Sequence, residues 1–546
     1  MTPVPLPAIV ADLEAGLRTA IAAAAQRCEV AGRIDTERAD ALQALLYDLA
    51  VSHAELRAAR VLASGFDGLS ELDRGLATLF TAEIAIAVLD RLETAFGDLA
   101  LSPAPLLALR ASPVMAELRR AAGGTGAEPL GARIAAGEAH GEVALEEDRL
   151  LAAEAFRRLA ADVVAPLAER IHRENLTVPE GLLQPMREMG VFGLTIPARY
   201  GGSAGDADDT PLMLAVTEAL SAASVAAAGS LITRPEILTR ALLAGGTEAQ
   251  KAHWLPRIAT GETLAAIAIT EPDYGSDVAS LMLRAVRAEG GWILDGAKTW
   301  CTFAGKAGVL LVVARTDPDR SKGHRGLSVM LVEKPGFEGH AFRFEQPGGG
   351  TLTGRAIPTP GYRGMHSFDL AFEQLFVPDS HVVGEAGGLG RGFYLTMAGL
   401  TGGRIQTAGR ALGVMRAALD AAVSYANQRR VFGKPLAGYQ LTRVKLARMA
   451  ARYAACRRLA YSVAQELDAG GDPMGASLAK LIACRAAEYV TREAMQIHGG
   501  MGYAEESAVS RYWLDARVLS IFEGAEETLA LKVIARRLLE DTLAQR

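Results

Sequence analysis

The chain has 546 residues, half of them apolar and 22% charged, with 57 Lys and Arg against 63 Asp and Glu for a net charge of −6. At about 100 to 200 residues per domain it should build about three or four cores, which excludes a disordered or fibrous chain. The slightly acidic balance argues against a nucleic-acid binder or a polybasic membrane clamp, and four scattered cysteines without CxxC pairs or histidine-linked spacing indicate neither a disulfide framework nor a metal site.

Residues 1–121 are rich in Ala, Leu, Glu and Arg, with apolar residues three and four apart in LQALLYDLAVSHAELRAARVLA and LFTAEIAIAVLDRLETAF, which predicts a helical N-terminal extension. Residues 122–144, dense in Gly and Ala and without a strong period, are expected to be a linker. Helical patterning returns over 145–264, interrupted at ENLTVPEG, IPARYGGSAGDADDTP and AGGTEAQ. Between 265 and 385 the texture changes to short β-prone runs, among them AAIAIT, GVLLVVART and GLSVMLVEK, separated by Gly, Pro and Asp turns. Over 386–546 long helices return, expected at 403–429, 440–469 and 473–497. The predicted class is therefore α+β and multidomain: helical extension, helical domain, central β-domain, C-terminal helical bundle. No basic segment leading an apolar core opens the chain, and the uncharged stretch 219–233 is too short to span a bilayer. No membrane insertion is expected, and a cytoplasmic location is.

One internal echo stands out. Set against 440–460, residues 43–63 agree at eight of 21 positions, four of them Ala, which raises the hypothesis that the extension is a degenerate copy of part of the C-terminal bundle. The glycine clusters GGTGAEPLG and GEAGGLGRGF lack GxGxxG spacing, and HExxH does not occur. Rossmann and zinc-protease mechanisms are disfavoured.

Six segments carry the chemistry in a fixed order: IAITEPDYGSDVA, GAKTWCTFAG, FVPDSHVVGE, YANQRRVFGKPLAGYQ, QIHGGMGY and SIFEGAEE. Together, over about 145–539, they resemble the acyl-CoA dehydrogenase family, whose domain order is the one predicted above. The resemblance implies FAD as cofactor, an acyl-CoA substrate, an electron-transferring flavoprotein as electron acceptor and a homo-oligomer, with a dimer favoured over a tetramer. By the same resemblance Thr270, Gly275 and Ser276 contact the flavin, Ser276 also the acyl chain, and Trp300 and Thr302 lie along the isoalloxazine. Cys301 and Phe303 stand where Ile and Asn are common in the family. Arg429, with Phe432 and Gln440, matches the group that reaches the cofactor of the neighbouring subunit; Gln496, Gly499 and Gly500 match a backbone approach to its pyrophosphate, where absent Cβ atoms leave room for a polyanion.

The α-C–H of an acyl thioester is weakly acidic, so its removal needs a positioned carboxylate and donors on the carbonyl. The resemblance assigns the base to Glu523, with Gly524 leaving room for the thioester and the 525–527 stretch, Ala525 and Glu527 included, near FAD. Some relatives place the base just before the Arg of LTGGRIQ; here that position is Gly403. Arg404 is expected near the substrate and its helix start. Length, extension and the EGAEE ending point within the family to a short branched or dicarboxylic acyl-CoA, for whose free carboxylate Arg234, inside an apolar helical stretch, is the expected partner; an Arg paired with Glu236 or Glu218 is the alternative. Other short- or branched-chain dehydrogenases, and a flavin oxidase or monooxygenase on the same scaffold, are the competing readings.

Overall fold

A computed structural model describes residues 6–205 and 208–545. Met1–Pro5, Asp206, Ala207 and Arg546, at the margins of the expected domains and inside the expected turn at 196–211, lie outside them. The chain divides into two compact units, one of residues 147–413 and one made of the segments before and after it.

The latter unit begins with Leu6–Cys28 (α1), a hairpin of Glu29–Val30 (β1) and Arg33–Ile34 (β2), Thr36–Ala41 (α2), Gln43–Ser64 (α3) and Glu71–Asp98 (α4). Apolar residues at helical spacing bury one stripe of each long helix, with Leu13 and Leu17 on α1, Leu49 and Leu56 on α3, and Leu72 and Leu89 on α4. Ser70 starts α4 by accepting the Asp73 N–H at 3.0 Å. Ala104–Arg110 (α5) and Pro113–Ala122 (α6) follow. Where a linker was expected, Gly124–Ala135 forms a further helix, α7. Its glycines are contact points: a Cβ on Gly131 would lie 1.8 Å from the Arg443 carbonyl oxygen, so Gly there lets two backbones meet.

The 147–413 unit opens with Glu147–Leu159 (α8), Ala165–Arg173 (α9), Glu180–Glu188 (α10), Thr210–Ala223 (α11), Thr233–Gly245 (α12) and Glu248–Ala259 (α13). A capping box of Thr247 and Gln250 begins α13. Eight strands follow: Ala265–Ala268 (β3), Arg284–Ala288 (β4), Gly291–Thr302 (β5), Val309–Arg315 (β6), Leu327–Glu333 (β7), Ala341–Glu345 (β8), Thr351–Ala356 (β9) and Ser367–Pro378 (β10). They form one sheet in the order β3-β6-β4-β5-β10-β9-β8, with β7 on β6. Strand β6 is buried along its whole length, as a strand covered on both faces should be. On one face Val309, Leu311 and Val313 pack with Leu238, Leu242, Trp254 and Ile258 of α12 and α13; on the other Leu310 and Val312 join Leu294, Phe368 and Phe372. The Gly-rich stretch EQPGGGTLTGRAIPTPGYRG supplies β9, paired on both sides.

Helix α14 (Gly392–Gln428) starts well before residue 403. Its glycines hide the period but serve packing: Cβ atoms on Gly399 and Gly402 would meet Ile237 and Glu236 of α12 at 2.8 and 2.3 Å. Back in the unit of the flanking segments come Arg430–Val431 (β11), Lys434–Pro435 (β12), Gln440–Asp468 (α15), Met474–His498 (α16), Gly500–Tyr503 (α17), Ala508–Leu519 (α18), Glu526–Thr528 (α19), a wider-wound segment Leu529–Ala535 and Arg536–Ala544 (α20). The sequence echo has a structural counterpart. Both α1 and α14 lead into a two-residue-strand hairpin and then a long helix that begins at the matched glutamine, Gln43 or Gln440. Both hairpin turns hold two positive-φ residues, Ala31 and Gly32 at 49° and 77°, Phe432 and Gly433 at 47° and 85°, the pattern that suits the strand twist.

Candidate active site

The expected site residues form two groups, one in each unit. In the 147–413 unit the loop after β3 is held by a buried ion pair. Lys298 Nζ, fully buried, donates to Glu271 Oε1 and to the Ile269 carbonyl, both at 2.7 Å, and the same carboxylate accepts the Met282 and Leu283 N–H groups at 2.7 and 2.8 Å. Burial pulls the ammonium below its usual range while Glu271 opposes the shift. Thr299 N–H bonds the Thr270 carbonyl at 2.9 Å, which sets Thr270 against the strand that carries Trp300 and Thr302. Gly275 and Ser276 are exposed in the turn beyond.

Trp300 owes its direction to a bulge. The β5–β10 register slips between Phe368 and Leu370, Trp300 takes a left-handed φ of 56°, and its ring is 55% exposed. An extra residue in one strand re-aims a side chain in this way. Thr302 shares a 2.9 Å hydrogen bond with the Ser367 hydroxyl. Cys301 faces the other way into the core, where burial pushes its thiol up to about 12.

Arg234 is buried near the start of α12, its Nη1 3.3 Å from the Ser230 carbonyl. Glu236, one expected partner, accepts from Arg240 at 2.7 Å and from Gln406. A second arginine, unmarked by the sequence reading, lies beside it. Arg410 of α14 is fully buried and donates to Ser230 Oγ at 3.3 Å and Thr407 Oγ1 at 2.6 Å. An Arg in the small-residue run IQTAGRALGVM was the available signal. Arg404 is partly buried in the middle of α14 rather than at a helix start.

In the other unit Glu523 and Gly524 occupy the loop between α18 and α19, with φ of 54° and 98°. A non-glycine residue in that region costs about 1–2 kcal/mol, so something must hold it. The Glu526 N–H closes the loop onto the Ser520 carbonyl at 3.0 Å, and Ser520 Oγ donates to Glu488 at 2.6 Å. Within the loop lies Lys480 of α16, 1% exposed, donating to the carbonyls of Phe522, at 2.7 Å, and Gly524. A trans peptide points its N–H opposite to its carbonyl; with the Phe522 carbonyl on Lys480, the Glu523 N–H is aimed away from it. Leu529 closes off Gly524, where a Cβ would come within 2.9 Å of its Cδ2. Glu526 and Glu527 begin α19, Ala525 its uncapped lead-in. Lys480 was missed because nothing in ASLAKLIA sets it apart from a surface lysine.

Arg429 and Phe432 lie at the β11–β12 hairpin, Phe432 98% exposed, and Gln440 opens α15 on the exposed side. Gln496, Gly499 and Gly500 end α16. Gly499, at φ 59° and ψ −136°, takes a conformation reserved for glycine. A Cβ on either glycine would meet nothing within 4 Å, so both present open backbone. Tyr425, one turn before Arg429, stacks on His498 at 4.2 Å and brings the two helix ends together. Among the described residues no group of three or more His, Cys, Asp or Glu is placed to hold a metal, and no helix is long and apolar enough to cross a membrane.

Family models for the N-terminal, middle and C-terminal domains of acyl-CoA dehydrogenase match residues 146–262, 266–375 and 390–539. The (2S)-methylsuccinyl-CoA dehydrogenase of Cereibacter sphaeroides is 42% identical over 402 residues, 73% of this chain and 71% of that one. Among solved structures, butyryl-CoA dehydrogenase from Megasphaera elsdenii matches 73% of this chain and 100% of its own with a TM-score of 0.67 and 30% identity. A glutaryl-CoA dehydrogenase from Mycobacterium smegmatis in complex with FADH2 matches 70% of this chain and 93% of its own with a TM-score of 0.62 and 28% identity. Three domain models in chain order, on a helical, β and helical fold, establish that the chain is an oxidoreductase belonging to the acyl-CoA dehydrogenase family.

Proposed function

We propose that the protein oxidises a short, branched dicarboxylic acyl-CoA across its α,β carbons, with (2S)-methylsuccinyl-CoA giving mesaconyl-CoA as the preferred reaction. The observation that carries the chemistry is the loop of Glu523, a carboxylate on strained backbone with its peptide pinned by a buried ammonium. Strain of this kind persists where surrounding structure enforces it and is concentrated at functional sites. Glu523 takes the α-proton, and its own N–H, turned away from Lys480, donates to the thioester oxygen as charge develops there. Gly524, without a side chain, leaves room for the thioester.

The substrate class is supported by the 42% identical relative and by Arg234 and Arg410, which bury two guanidiniums around Ser230. A buried free carboxylate needs paired, hydrogen-bonded charge, and guanidinium supplies both. Arg404 and Ser276 are further substrate contacts in this reading.

The residues fit FAD: an exposed Trp300 aimed by a bulge, a hydroxyl at Thr302, and open backbone at Gly499 and Gly500. Thr270, Gly275, Ser276, Trp300 and Thr302 are cofactor contacts in this reading. Arg429, Phe432, Gln440, Gln496, Gly499 and Gly500, with Ala525 and Glu527, are the others that the family resemblance implies. When bound, FAD supplies the acceptor for the β-hydride. Phe432, 98% exposed, is a side chain that water does not favour, consistent with Arg429 and Phe432 serving the cofactor of a second copy in a homodimer. An electron-transferring flavoprotein takes the electrons onward, and the domain limits are those set out from the sequence, with α7 in place of the linker.

Turnover against straight, branched and dicarboxylic acyl-CoAs, followed by bleaching of the flavin, tests the proposal. Methylsuccinyl-CoA is expected to give the highest kcat/KM; preference for isovaleryl- or butyryl-CoA would overturn the substrate assignment.

A further inference from the structure

The loop that carries Glu523 is anchored at three places. Its near end is tied by Ser520 to Glu488 and its middle by Lys480, both anchors on α16. Its far end is tied differently. Glu526, three residues after Glu523, accepts on one carboxylate oxygen both from Arg485 of α16 and from the hydroxyl of Tyr47, which belongs to α3 of the N-terminal extension. Arg485 also donates to the Tyr47 oxygen at 2.8 Å, so the three side chains close a triangle. Burial and the neighbouring Glu526 push the phenol up to about 12, and it stays a donor throughout the neutral range. Lys532 reinforces the same face, donating to Asp40 of the extension at 2.6 Å.

We infer that Tyr47 is a positioning residue for the dehydrogenation, holding the far end of the Glu523 loop through Glu526. The inference rests on the reading of Glu523 as base. Without the hydroxyl, Arg485 alone holds the Glu526 carboxylate, which lies in the first turn of the continuous helical run 526–544, the turn whose N–H groups have no partner within the helix. The pull on Glu526 is transmitted to Glu523 because the Glu526 N–H to Ser520 carbonyl bond makes the segment between them a closed loop. A domain outside the three family models thus takes part in setting the geometry of the base.

The test compares Tyr47→Phe with Arg57→Met in the full-length holoenzyme. Arg57 joins the same extension to Glu466 of α15 and touches no residue of the loop, so it reports on loosening of the extension alone. Tyr47→Phe is expected to lower kcat and α-proton exchange into D2O by about threefold to tenfold, the size of one hydrogen bond used in the transition state. KM and flavin content should hold, and the acid limb of the kcat–pH profile should move. Arg57→Met should change none of these. An unaltered kcat and pH profile in Tyr47→Phe, or equal losses in the two variants, would overturn the inference. Glu523→Gln, run alongside, separates the underlying reading: full turnover there removes the base assignment itself, whereas an inactive Glu523→Gln beside an unaffected Tyr47→Phe removes only the role of Tyr47.

Discussion

Replacing Lys480 with methionine keeps a long apolar stem in the core and removes the ammonium to which the Phe522 and Gly524 carbonyls bond. A hydrogen bond to a charged group is worth about 1.5–3 kcal/mol, so stranding both carbonyls costs about 3–6 kcal/mol if the loop stays in place. Removing a buried ammonium returns several kcal/mol of desolvation, and the fold as a whole should therefore survive. Relief is available locally: the peptides at 522 and 524 can turn toward water, and Glu523 then leaves its left-handed backbone and recovers about 1–2 kcal/mol. That turn carries the Glu523 N–H and carboxylate out of register. Loss of one pre-aligned oxyanion donor costs about 100- to 1000-fold in kcat, and Lys480→Met should fall in that range with flavin content and circular dichroism retained. Steady-state kinetics at saturating acyl-CoA provides the assay. A variant that folds, binds flavin and turns over within about twofold of wild type would refute the reasoning.

Gly524→Ala places a Cβ 2.9 Å from Leu529 Cδ2 at a φ of 98°, so kcat should drop at least about tenfold with a lowered thermal midpoint; an unchanged midpoint would contradict the packing. Arg234→Ala is expected to lower kcat/KM for methylsuccinyl-CoA by about 100-fold and for butyryl-CoA by less than about threefold, since only the dicarboxylate loses a charge-assisted contact. His53 of α3 is held at about 4 by burial and by Arg60 and Arg57. Its folded value lies below the unfolded 6.5, so the stability it confers is complete above pH 6.5 and is lost as pH falls toward 4, on the order of 3 kcal/mol in all. Hydrogen exchange of α3 should accelerate over that window, and His53→Gln should flatten the dependence.

Helical periodicity marked the extension, both helical domains and the change to strands, because one-sided burial leaves a period that a single sequence preserves. Glycine misled in two places. In α7 and early α14 it lets helices approach closely, as Gly131 does against Arg443 and Gly402 against Glu236, whereas in isolation the same residues read as linker or helix breaker. The motif segments singled out Glu523, Trp300 and Thr270 as candidates. What holds them was hidden by distance along the chain: Lys480 precedes the loop by more than forty residues, and Tyr47 by more than four hundred. Lys298 and Glu271 are ordinary charged residues until a fold buries them together.

The central claim is that Glu523 removes the α-proton. Glu523→Gln preserves shape and leaves an amide that cannot accept that proton, so the most direct measurement is the rate of methylsuccinyl-CoA oxidation by this variant, purified with its flavin. Turnover should fall by about a thousandfold or more at unchanged flavin content; a rate within about tenfold of wild type would contradict the account.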